Sequence, residues 1–202
     1  MIRNSKLVRG VGVNDADYPI HICENIDGKW TKVWQCPVYR TWASMLERCY
    51  SSAYKAKRPT YEGCTVTPEW LTFSKFREWM LDKDWECKQL DKDILAQGNK
   101  VYSPTTCVFV SRQLNTFMAD CGAARGRWPI GVHFDKTGGK FMAQCCNPFT
   151  GKSEYLGLFT DPEEAHDAWR SRKHELACIY ADQQTDERLS DALRNRYQEE
   201  AK

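Results

Sequence analysis

The chain has 202 residues, a formal net charge of +2, 42% apolar residues and ten cysteines, enough for one generous core or two small ones. No apolar run reaches the roughly 18 residues of a membrane-spanning helix, and residues 1–6 lead into no apolar signal block. Charge this close to neutral excludes a protein that binds nucleic acid through bulk basicity, so any such role must rest on local clusters. Without a secretion signal, the cysteines are expected to be free, mostly buried thiols in a reducing cytoplasm. No Cys-x-x-Cys pair exists, and Cys23, Cys36, Cys49 and Cys64 are too widely spread for a zinc knuckle.

The N-terminal region, 1–36, reads as a hairpin. Strands at 20–23 and 30–34 flank Asn25-Ile26-Asp27-Gly28, whose Asp-Gly pair is a strong turn signal. A helix is expected from Pro37, with Val38, Trp42, Met45, Leu46 and Cys49 on one side. After a loop rich in Ser, Lys and Pro, Thr67-Pro68-Glu69-Trp70 is expected to cap a second helix. Its Trp70, Phe73, Phe76, Trp79 and Met80 form a wide aromatic face, which reads as core, with a base-stacking platform as the alternative.

A strand over 88–94, a loop over 97–104, a second strand over 107–110 and a helix capped by Ser111 and carrying Gln113 and Asn115 follow. This order resembles the ββα-metal module of HNH nucleases. The upstream motifs Tyr39-x-x-Trp42-x-x-Met45-x-x-Arg48-Cys49-Tyr50 and Trp70-x-x-Phe73-x-x-Phe76-x-x-Trp79 are similar to phage proteins that join such a module to an APETALA-type domain. The resemblance implies metal ligation by Asp91 and Asn115, with Mg²⁺ as the ion if the site is active. It places Lys92 where the catalytic histidine belongs and Thr106 at the orienting asparagine. An ammonium whose ordinary pKa is about 10.4 is a poor base at neutral pH, and neighbouring Asp91 and Asp93 should raise it further. Three readings stay open for Asp91, Lys92, Asp93 and Asn115: a retained fold with catalysis lost, a metal site using another base, or a polar strand end.

Arg125-Gly126-Arg127-Trp128-Pro129 reads as a short basic linker able to track a phosphate backbone. Three strands then follow, over 130–135, 141–146 and 153–159, joined by glycine-containing turns. Asp161-Pro162-Glu163-Glu164 opens a helix with an N-cap, a first-turn proline and a capping-box glutamate. Alternation assigns Val132, Phe134, Phe141, Ala143, Cys145, Leu156 and Leu158 to the face that meets the helix. Ala165, Ala168, Trp169, Leu176 and Ile179 are the matching stripe on the helix. His133, Asp135, Met142, Gln144, Cys146, Ser153 and Tyr155 take the other face, which is either a plain polar surface or one narrow enough to enter a major groove. Ile130-Gly131-Val132, Gly139-Lys140-Phe141, Tyr155-Leu156-Gly157-Leu158-Phe159 and Asp161-Pro162-Glu163-Glu164-Ala165 resemble the APETALA-type DNA-binding domain of plant ethylene-response factors. That resemblance implies duplex DNA as the partner, without the arginines and tryptophan with which the plant proteins read bases.

A thin apolar stripe of Leu189, Ala192, Leu193 and Tyr197 marks a last helix from about residue 186, which packs on a domain, self-associates or frays. Three basic clusters, Lys55/Lys57/Arg58, Arg125/Arg127/Lys136/Lys140 and Arg170/Arg172/Lys173, are each a phosphate-binding candidate or a solvated surface run. The expected organisation is α+β: an N-terminal hairpin region (1–36), a degenerate HNH-like ββα module (37–122), a basic linker (123–129), an APETALA-type three-stranded antiparallel sheet on one helix (130–182) and a C-terminal helix (183–202). The expected function is phage DNA binding in the host cytoplasm, with Arg125, Arg127, Lys136 and Lys140 on phosphates and His133, Gln144 and Tyr155 in the groove. A metal-dependent endonuclease, or a protein that binds and inhibits a host protein, are the alternatives.

Overall fold

The computed structural model describes residues 7–119 and 126–198. It is mixed α and β, and the chain divides into two compact units, Met1–Val110 and Ser111–Lys202.

The first unit begins with an antiparallel hairpin, β1 (His21–Ile26) and β2 (Lys29–Gln35). Asp27 and Gly28 both take positive φ, 51° and 81°, the twist that a two-residue Asp-Gly loop supplies between right-twisted strands. Helix α1 (Pro37–Tyr50) buries Val38, Trp42, Met45, Leu46 and Cys49, the face that the 3.6-residue period predicts. A short helix α2 (Ser52–Lys57) and strand β3 (Thr65–Val66) lead to a 3-10 turn, Pro68–Leu71, and helix α3 (Phe73–Leu81). Trp42, Trp70, Phe73 and Phe76 are fully buried at the centre of this unit, and the Trp42 indole N–H donates to the Trp70 carbonyl at 2.7 Å.

The helix expected to run unbroken from Thr67 is interrupted at Thr72. Val13 lies beside it like a parallel strand: its N–H donates to the Leu71 carbonyl at 2.8 Å, and its carbonyl accepts from the Phe73 N–H at 3.0 Å. Those two groups are then lost to the helical ladder, so the turn and α3 separate there. The cap on α3 comes from Asp15, whose carboxylate accepts from the Ser74 N–H at 2.9 Å, a partner 59 residues away that no local motif could announce.

Strand β4 (Gln89–Asp91) pairs antiparallel with β6 (Val108–Val110), and β5 (Val101–Tyr102) pairs parallel with β3. The expected strand–loop–strand order is therefore present, in shorter strands. Helix α4 (Arg112–Met118), capped by the Ser111 hydroxyl accepting from the Leu114 N–H at 3.1 Å, belongs to the second unit. Its Phe117 ring meets Tyr180 at 5.1 Å, and its Phe117 carbonyl accepts from Lys173 Nζ at 2.7 Å. The boundary between the units thus falls inside the expected 37–122 module, and α4, which buries Leu114, Phe117 and Met118, lies beyond it.

That unit holds the sheet β7 (Val132–Asp135), β8 (Lys140–Asn147) and β9 (Lys152–Phe159), antiparallel in that order, with helix α5 (Pro162–Asp182) across one face. Asp161 caps α5, accepting from the Glu163 N–H at 2.6 Å, and Pro162 opens it. Val132, Ala143 and Ala165 are buried together, with Trp128, Phe141, Leu156, Phe159 and Ala168 packed around them. Trp128 meets Phe141 edge-on at 4.7 Å, so the end of the expected linker is part of this core. Gly131, at φ 81°, allows the closest approach: a Cβ there would lie 2.2 Å from the Trp169 ring.

Simple alternation fails once, on β9. Ala143 pairs with Gly157 but Gln144 pairs with Tyr155, so one extra residue is accommodated opposite this step. Such a bulge changes which residues share a face; Gly157 holds it at φ 136°, a region that side chains avoid. As a result Phe159, not Leu158, lies beside Phe141, and Leu158 joins Met142 and His133 on the outer face. Ile179 also departs from expectation and is exposed, while Ala177, Tyr180 and Ala181 are buried. Helix α6 (Glu187–Asn195) packs along α5 through Leu189 and Leu193, with Ser190 Oγ donating to the Ala181 carbonyl and Tyr197 edge-on to Trp169. That packing decides among the three roles open to the last helix.

Candidate functional site

Two regions hold the residues that sequence reasoning selects. The first is the end of β4. Asp91 Oδ1 accepts from the N–H groups of Asp93 and Ile94, both at 2.8 Å, closing a tight turn after the strand. Lys92 is only 5% exposed. Its ammonium donates to Asp93 Oδ2 at 2.9 Å and to the Asn99 carbonyl at 2.8 Å, and it lies 6.0 Å from the centre of the Tyr102 ring. Asn99 locks the arrangement from the other side, donating to the carbonyls of Lys92 and Val101 at 2.6 and 2.7 Å. Thr106, at the position of the orienting asparagine in the HNH resemblance, donates its hydroxyl to the Val101 carbonyl.

The electrostatics follow from these contacts. Burial, then the nearby Asp93, pushes the Asp91 carboxyl above the ordinary aspartate value. Burial alone would depress Lys92, but the hydrogen bond and charge of Asp93, with further help from Cys64 and Asp91, outweigh it and lift the ammonium above the ordinary lysine value. A lysine so held keeps its proton at neutral pH and cannot serve as general base. Burial also pushes the neighbouring thiols of Cys49 and Cys107 up to about 12, so neither supplies a thiolate.

Asp91 lies in the first unit and Asn115, to which the same resemblance gives metal ligation, in the second. Among the described residues no group of three or more His, Cys, Asp or Glu side chains is arranged to hold a metal. The groups at β4 do not fit a divalent cation: one Asp91 oxygen is committed to two backbone donors, and a buried ammonium contributes positive charge to the same cluster. The ammonium pairs with Asp93 and offsets one of the two carboxylate charges.

The second region is the outer face of the β7–β9 sheet. Register brings His133 beside Met142 and Leu158, Gln144 beside Tyr155, and Cys146 beside Ser153. His133, Cys146 and Ser153 are exposed, and Tyr155 is 60% exposed. The Gln144 amide turns toward Met142 Sδ at 3.6 Å. At one end, Asp135 spends its carboxylate on the N–H groups of Thr137 and Gly138, at 3.0 and 3.2 Å. Its charge therefore serves the turn, and the exposed Lys136 and Lys140 have no ion-pair partner among the described residues. Arg127 is also exposed, with its guanidinium 4.2 Å from the Trp128 ring centre. Arg125 lies outside the described residues.

Beside β7, the edge strand, is an open pocket of about 490 Å³ lined by Arg127, Trp128, Gly131, His133, Phe134 and Lys136, among others. It is bordered by two cations and two aromatic rings. The basic residues of α5 are engaged elsewhere. Arg172 is bound by Glu154 and Glu175, Arg170 by Asp167, and Lys173 is held by the Phe117 carbonyl and ring. Sequence reasoning placed Arg125, Arg127, Lys136 and Lys140 on phosphates and left Arg170, Arg172 and Lys173 as a candidate cluster; pairing now separates the two sets. Sequence reasoning also passed over Asn99, whose signal was an Asn following Gly98 in a loop rather than any nuclease motif.

Comparison with protein-family models, with curated proteins and with solved structures finds no match. No helix among the described residues is long and apolar enough to cross a membrane.

Proposed function

We propose that this chain binds duplex DNA through the outer face of the β7–β9 sheet and does not hydrolyse it. One observation carries the reading: Arg127, Lys136 and Lys140 border an open, exposed sheet face without acidic partners among the described residues, while the arginines on the helix behind it are neutralised by ion pairs. A three-stranded sheet presented this way suits a major groove about 12 Å wide. The cations at its border supply the phosphate contacts that position a protein on the duplex. Gln144 and Tyr155, opposite each other on adjacent strands, offer an amide and a phenol to base edges. The resemblance to APETALA-type domains points the same way, and the resemblance to HNH nucleases suggests a nuclease-derived ancestry on the phage side. Absence of cleavage rests on Lys92, whose buried, proton-retaining ammonium replaces the neutral imidazole that the chemistry needs.

The test is one gel. Supercoiled plasmid is incubated with the protein with and without Mg²⁺ or Mn²⁺ across a salt series, scoring both mobility shift and nicking. A salt-sensitive shift without nicked product is expected, and the Gln144→Ala/Tyr155→Ala double variant should weaken the shift while remaining folded. Metal-dependent nicking abolished by Asp91→Ala would overturn the second half of the proposal. A shift unaffected by the double variant, or no shift at all, would overturn the first.

A further inference from the structure

The open pocket beside β7 has a chemistry that a flat groove-reading face does not need. Its volume, about 490 Å³, falls within the roughly 300–1,000 Å³ of small-ligand sites. Arg127, Trp128, His133, Phe134 and Lys136 line it, and no acidic side chain does so among the described residues. Asp135, adjacent in sequence, has both carboxylate oxygens committed to the N–H groups of Thr137 and Gly138. A ligand matched to this wall is therefore anionic.

The rings add a second requirement. Alternation puts Phe134 on the helix-facing side, yet it stays outside the core formed by Val132, Ala143 and Ala165 and is 41% exposed. Its ring is nonetheless braced, 5.1 Å from Phe141 and 5.9 Å from Trp128, centre to centre. Trp128 is itself engaged, packed on Phe141 and with the Arg127 guanidinium 4.2 Å from its ring centre. Phe134 is thus the ring with surface left for a ligand. A braced aromatic ring bordered by cations is the arrangement on which unpaired bases stack while their phosphates are neutralised. β7 is also an edge of its sheet, so main-chain groups on its open side have no neighbouring strand and can meet a base edge.

We infer that this pocket holds one unpaired nucleotide, its base on Phe134 and its phosphate facing Arg127 and Lys136. The inference rests on the reading of the sheet as a duplex-binding surface. Lys136 borders both the sheet face and the pocket, so a strand that leaves the duplex at this edge keeps its phosphates opposite cations. An acidic peptide would satisfy the cations but leave the Phe134 ring unused. Extruding a paired base is costly, whereas an unpaired one is already released. The pocket therefore makes the protein prefer duplex that carries an unpaired nucleotide.

Fluorescence anisotropy tests this with a short labelled duplex in three forms: fully paired, with one unpaired thymidine at its centre, and with an abasic site in place of that thymidine. The thymidine form should bind about fivefold or more tightly than the other two, the lower end of base–aromatic stacking. Phe134→Leu keeps an apolar side chain against Phe141 but removes the flat ring. It should erase that preference while the fully paired duplex binds as before, and Phe134→Tyr should retain it. The readout is a ratio of affinities within one protein sample, so a partial loss of folded protein cancels. Equal affinity for the paired and thymidine forms overturns the inference, as does a preference that survives the abasic site or Phe134→Leu. Should no duplex form bind, the duplex-binding reading fails by itself, and single-stranded oligothymidylate then decides the pocket. Binding weakened about fivefold or more by Phe134→Leu upholds it; no binding, or binding indifferent to Phe134→Leu, overturns it.

Discussion

Replacing Lys136 and Lys140 together by alanine is the sharpest probe of the sheet face. Both side chains are exposed at the β7–β8 turn, and that turn is held by Asp135 and by the Gly139 N–H donating to the Asp135 carbonyl, so its geometry should survive. If Arg127, Lys136 and Lys140 each neutralise one phosphate, log K should fall with log salt at a slope of about −2.7, at about 0.9 per contact. Raising salt fourfold should then weaken binding by about 40-fold. With both lysines removed the slope should flatten to about −0.9 and the same fourfold change should cost only about 3.5-fold. Fluorescence anisotropy of a labelled duplex, titrated at several salt concentrations, measures both slopes. Identical slopes for parent and variant would refute phosphate contact at this turn. An unchanged slope with an affinity loss at every salt would assign the lysines to folding instead.

Three further outcomes test the second unit itself. Gly131→Ala must place a methyl 2.2 Å from the buried Trp169 ring at a backbone φ of 81°, so strain and overpacking together should cost about 2–5 kcal/mol in chemical denaturation. Gly139→Ala, also at positive φ but facing open space, should cost only about 1–2 kcal/mol. The Arg172 and Asn147 hydrogen bonds hold the Glu154 carboxyl below the ordinary glutamate value. The sign is then fixed: this stabilisation is complete above the unfolded value of about 4.3 and is lost as pH falls through the lowered folded value. Comparing acid unfolding of the parent with Glu154→Gln should show a stability gap near neutrality that closes below about pH 4; a gap independent of pH would mean that the ion pair is not its source.

The chemistry at β4 turns on one buried residue, Lys92. The hydrogen bond and charge of Asp93, helped by Cys64 and Asp91, raise the pKa of the buried Lys92 against the effect of burial. The cluster thereby carries part of its own compensating charge. The positive charge of Lys92 also disfavours the cation that metal-assisted hydrolysis requires.

Much of this molecule was legible in the sequence because its determinants are local. The Asp27-Gly28 turn, the buried face of α1, the Asp161-Pro162 start of α5 and the Ser111 cap each depend on residues within about one helical turn or one two-residue loop of each other. Cys145 and Cys146 fell on opposite faces, one buried and one exposed, because a strand alternates. Other features needed partners distant in sequence. Val13 breaks the helix at Thr72, Asp15 caps it from 59 residues away, and Asn99 fixes the Lys92 carbonyl. The bulge at Gly157 turned Leu158 outward, and α4 fell with the second unit through Phe117. Periodicity describes one element in isolation. A backbone hydrogen bond taken by a distant strand, or a residue inserted into a ladder, changes the period itself, and only the folded chain decides where that happens.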